Sequence, residues 1–181
     1  MVSAFSGSLL MVLGCWGSLA SVARAQCLSL DQMVSVGAAP TALAQPQDLA
    51  ELPVNEWVFK GGIPRSHDVY WASAATAASG PPPATVTLRT QQRNFDVVLK
   101  TTQGACIRQV SGELKALKIK PINVTCPNGC EAQRYDGPDY QATLYSKMKG
   151  EYPFVIVLHP LRQAPQAPPP AAKATPTELR P

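Results

Sequence analysis

The chain has 181 residues, 45% of them hydrophobic, and carries 16 Lys and Arg against 12 Asp and Glu for a formal charge of +4. That length suits one core of ordinary domain size. So mild a basic excess argues against nucleic acid, which calls for Lys and Arg gathered on one face. The densest basic group, Lys115, Lys118 and Lys120, is more simply a solvated face or a helix end answering the macrodipole.

Residues 1–25 are read as a signal peptide. Ser8 to Ala20 holds no charged residue, and Ala23-Arg24-Ala25 supplies the small-x-small pattern cut by a signal peptidase. The uncharged run is shorter than the roughly 20 residues that span a bilayer and is broken by glycines and serines, which disfavours a membrane anchor. Lipidation at Cys15, in the lipobox-like Val12-Leu13-Gly14-Cys15, is the weaker alternative. Cleavage leaves a chain beginning at Gln26 that is periplasmic or secreted.

Residues 26–159 are expected to form a single α+β domain. Ser29-Leu30-Asp31-Gln32 has capping-box spacing, so a short helix starts there and stops by Gly37. Asp48 to Leu52 adds a helical turn. Trp57 to Lys60, Asp68 to Ser73 and Ala84 to Thr90 are rich in β-formers and predict three antiparallel strands, the last two joined by a loop of small residues and prolines. Asn94 then resembles a helix cap, and Phe95, Val98, Leu99, Thr102, Cys106, Val110, Leu114 and Leu117 follow at spacings of three and four. This stripe predicts a long helix to Leu117, with a break at Gly104 as the variant that glycine's low propensity allows.

A β-meander closes the domain. Ile119 to Cys126 pairs with Cys130 to Tyr135 through Pro127-Asn128-Gly129, Tyr140 to Lys147 follows, and Pro153 to Leu158 is apolar on both faces and hence central. Leu30 to Val34 parallels Phe95 to Leu99, and Ala84 to Leu88 parallels Phe154 to Leu158, a hint of two helix-plus-meander halves. Residues 160–181, rich in Pro and Ala and poor in core-forming residues, are expected to be a disordered tail.

Four cysteines remain after cleavage, an even number that suits two disulfides in an oxidising compartment. The Pro-Asn-Gly turn favours Cys126 with Cys130, and elimination then pairs Cys27 with Cys106. A zinc site would need two further ligands, and His67 and His159 lie far off in sequence. No metal and no cofactor is therefore expected. Catalytic motifs are absent: no nucleophile elbow, no His-Glu-x-x-His, no phosphate-cradling or dinucleotide loop. His67 beside Asp68 is the sole titrating centre an enzyme could use, and a polar turn explains it more simply. Tyr135, Asp136, Asp139 and Tyr140 could suggest a sugar or calcium site, but the Gly137-Pro138 turn accounts for them.

Cys126 to Cys130, Arg134-Tyr135, Gly137-Pro138, Tyr140, Thr143 to Ser146, Tyr152 to Val155 and the early Cys27 to Asp31 resemble a group of uncharacterised exported proteins of bacteroidete bacteria. The resemblance implies an envelope or secreted location and carries no activity. The expected function is a small exported non-enzymatic module that binds a protein, peptide or glycan, or serves structurally. Trp57, Tyr70, Trp71 and Tyr145 are its candidate anchors, because aromatics dominate recognition energetics. Each has core packing as its competing explanation. The alternative is a secreted hydrolase or inhibitor centred on His67.

Overall fold

The computed structural model describes residues 27–39, 42, 45–75, 80–91, 94–126 and 129–161. The expected signal peptide, Cys15 within it, and the tail beyond Leu161 lie outside these residues. The fold is α+β: an antiparallel sheet of eight strands carries two helices.

Helix α1 (Leu30–Ala38) starts where its capping box predicts. Gln32 N donates to Ser29 Oγ at 3.1 Å and Ser29 N donates to Gln32 Oε1 at 2.9 Å, so two orphan amides are satisfied reciprocally. A single 3-10 turn follows at Pro46–Asp48, slightly before the turn expected at Asp48 to Leu52. Four strands then form a meander: β1 (Trp57–Gly62), β2 (Val69–Ser73), β3 (Ala84–Gln91) and β4 (Asn94–Thr101). The β1–β2 register shifts between Phe59 and Gly61, where Gly61 takes a φ of 101° that an L side chain rarely adopts.

The predicted helix from Asn94 to Leu117 is corrected here. Its first eight residues are β4, and helix α2 runs from Gly104 to Ala116. Phe95, Val97, Leu99 and Thr101 share one strand face, but Val98 is also buried, and burial on both faces lets a period of two pass for a period of three and four. The β-branched Val97, Val98 and Thr101 favour the strand. At its end the Thr101 hydroxyl donates to Pro83 O (3.2 Å) and accepts from Gln103 N (3.1 Å), which turns the chain into α2.

A second meander follows α2: β5 (Ile122–Val124), β6 (Glu131–Asp136), β7 (Tyr140–Ser146) and β8 (Phe154–Pro160). β5 is shorter than its predicted span. Strand order is β1-β2-β3-β4-β8-β7-β6-β5, so the two meanders join through their last strands and β8 is central as predicted. Two helix-plus-meander halves are therefore present, in a correspondence different from the one the sequence suggested. Phe95 to Leu99 belongs to β4, the partner of β8, whereas the counterpart of α1 is α2.

Both helices lie on one face of the sheet and bury a single core. Gly37 lets α1 approach closely, since a Cβ there would stand 3.1 Å from Pro160 Cγ and 3.3 Å from Val97 Cγ2. Leu30 N donates to Glu113 Oε2 at 2.6 Å, setting a carboxylate of α2 against the positive end of α1. Cys27 and Cys106 stand at disulfide distance with Cα atoms 5.1 Å apart, and Cys126 and Cys130 likewise at 5.4 Å. Both pairs match the expected connectivity.

Candidate functional site

Side chains alternate across a strand, so each strand that feeds the core also presents a second set of residues away from the helices. The register arranges this second set in rows. One row runs Val58, Ala72, Thr85, Lys100, Val155, Tyr145 and Ala132. The next runs Tyr70, Thr87, Val98, Val157, Thr143 and Arg134. A third runs Arg89, Asp96, His159, Gln141 and Asp136. Among the described residues no helix covers this open face.

The open face is polar at its margins and apolar at its centre. Val98 is only 1% exposed although it points away from both helices. It lies at the floor of a cavity of about 480 Å³ with Val155 and Val157, lined also by Tyr145, Met148 and the Cys126–Cys130 pair. Arg89, Lys100 and Lys149 also line it.

Of the four predicted anchors, two belong to this face. Tyr70 and Tyr145 are half-buried on the open rows. Trp57 and Trp71 are a correction: each is 2% exposed and packed in the core, with Phe59 beside Trp71 at a ring separation of 5.5 Å. They alternate with Val58 and Tyr70, so the strand period that exposes one neighbour buries the other.

His67 is exposed in the turn before β2, where its carbonyl accepts from Thr90 Oγ1 at 3.3 Å. The Asp68 carboxylate is occupied with Thr90 N at 3.0 Å. The polar turn thus uses both residues to hold the end of β3. Tyr135 and Tyr140 point into the core, and the Tyr135 hydroxyl pairs with Ser111 Oγ (3.0 Å) and donates to Gln133 Oε1 (3.2 Å). Burial, with Asp31 and Asp139 nearby, raises the Tyr140 phenol above its usual pKa. Asp136 is held by Arg134 (3.1 Å) and Gln141 (2.9 Å).

One functional-type pairing escapes sequence reading. His159 Nδ1 lies 2.6 Å from Asp96 Oδ1 on the open face, and Asp96 is 5% exposed. The signal for it was the register: once Asn94–Thr101 is a strand beside β8, with Val97 opposite Leu158, Asp96 and His159 are the next residues along the two strands and meet. Their open-row neighbours are Arg89 and Gln141, neither a nucleophile. Among the described residues no group of three or more His, Cys, Asp or Glu could hold a metal ion, and no helix is long and apolar enough to cross a membrane.

No protein family, curated protein or solved structure matches this chain.

Proposed function

We propose that this protein is an exported, non-enzymatic binding module of the cell envelope or extracellular space that engages its partner through the open face of the sheet. The observation that carries the reading is a recess on the sheet face that the helices leave uncovered, where half-buried Tyr145, Val155 and Val157 gather, with half-buried Tyr70 on the same face. Aromatic and aliphatic groups that remain accessible on a rigid sheet supply binding energy at low entropic cost. Export is supported by two cysteine pairs at disulfide distance in a chain that opens with a signal-like segment.

The reading is tested by capture from the native envelope with the wild-type chain, a Tyr145→Glu variant and a Lys115→Glu variant on the helix side. A partner retained by wild type and Lys115→Glu but lost by Tyr145→Glu supports the open face. Equal capture by all three overturns it. N-terminal sequencing of exported material is expected to start at Gln26, and an intact Met1 refutes cleavage.

A further inference from the structure

We propose that the cavity on the open face binds an amphipathic anion, a carboxylate or sulfonate carried on an apolar body, one molecule per chain. The proposal rests on the open face being the binding face and adds the chemistry of the occupant. A volume of about 480 Å³ lies within the range of small-molecule sites, roughly 300–1,000 Å³. Among the described residues its lining is charged with one sign: Arg89, Lys100 and Lys149 line it, and no Asp or Glu does. None of these three cations takes part in an ion pair among the described residues. Glu151 reaches only an adjoining recess of about 290 Å³, which Lys100 and Lys149 also line.

The register gives the site a direction. Lys100 stands opposite Val155, and Val98 stands opposite Val157, one row further along the sheet, roughly 6.7 Å away. An anionic head held by Lys100 and Lys149 therefore lays its apolar body over half-buried Val155 and Val157, above Val98, with Tyr145 at the side and Arg89 at the far end. The valine floor offers no side-chain hydrogen-bond partner, which disfavours a saccharide. A cationic ligand would meet three like charges, and a neutral one would cover the lysines without neutralising them.

Isothermal titration of the full chain with dodecanoate, below its micelle concentration, tests the site. One-to-one binding is expected, with no binding of dodecyltrimethylammonium. Lys100→Glu and Lys149→Glu are each expected to weaken dodecanoate by about tenfold or more, and Lys115→Glu on α2 to leave it unchanged. Lys149 is exposed, so its variant tests the charge without threatening the fold, and circular dichroism verifies both variants. Equal affinity for the cationic amphiphile, an unchanged affinity in folded Lys149→Glu, or binding to phosphatidylglycerol vesicles without binding to dodecanoate overturns the proposal. If dodecanoate fails to bind while partner capture still depends on Tyr145, the anion site falls and the binding-face reading stands.

Discussion

The two cysteine pairs lend themselves to a quantitative comparison because they close loops of very different length. Cys27 and Cys106 are 79 residues apart and Cys126 and Cys130 only 4. In the chain-entropy treatment a crosslink stabilises by restricting the unfolded chain, and the long loop is worth about 4.5 kcal/mol against about 2 for the short one. The constant cancels in the difference, which is 1.5RT times the logarithm of the loop-length ratio, about 2.6 kcal/mol. Cys27→Ala/Cys106→Ala should therefore lose about 2.6 kcal/mol more than Cys126→Ala/Cys130→Ala, and more still if the cavity left at buried Cys106 adds to it. Urea unfolding of the two double variants, extrapolated to zero denaturant because a lost crosslink also alters the slope, measures this difference. Equal losses, or a larger loss in the Cys126/Cys130 variant, would refute the reasoning. Native-state strain at the Cys27–Cys106 pair, or residual structure tying residue 27 to α2 in the unfolded chain, would then have to outweigh loop entropy.

Further outcomes follow from burial and from close approach. Trp71→Ala should cost about 3–5 kcal/mol and Tyr145→Ala far less, because only the former empties the core; thermal unfolding ranks them. Gly37→Val should destabilise by about 1–3 kcal/mol, since its side chain would press on Pro160 and Val97 where α1 meets the sheet, as denaturant midpoints at constant slope would show. The Tyr152 phenol, raised by burial and then by Glu151, keeps its proton when the unfolded chain has lost it, so the corresponding stability is present below pH 10.0, the ordinary value, and declines as pH rises through the folded value. Spectrophotometric titration at alkaline pH should show Tyr140 and Tyr152 ionising late in the native protein and at the ordinary value in denaturant.

Local signals were legible wherever one short stretch specified them. The capping box at Ser29 marks the start of α1, alternation in Ala84 to Thr90 predicts a strand, and the turn before Tyr140 to Lys147 predicts another; the structure contains both, as Ala84–Gln91 and Tyr140–Ser146. Reading failed at Asn94–Thr101 for a physical reason: β4 lies in the middle of the sheet and is buried on both faces, so its apolar residues lose the alternation that identifies a strand. The same misreading hid the candidate site. Val98 and Lys100 belong to an open row only once β4 is paired with β8, and the partnership of Asp96 with His159 spans 63 residues. Trp57 and Trp71 failed as anchors because residue type does not tell which face of a strand looks outward.

The seam between β4 and β8 governs more than the position of the cavity. Within each half every strand pairs with its neighbour in sequence, so hairpins can form after short loop closures, whereas the seam must bring together Leu99 and Ile156, 57 residues apart. Topology of this kind makes the seam the slow, rate-setting encounter of folding. Val98 and Val157 stand opposite each other only when this seam has closed. The residues that floor the open-face cavity are thus those that report whether the two halves have met.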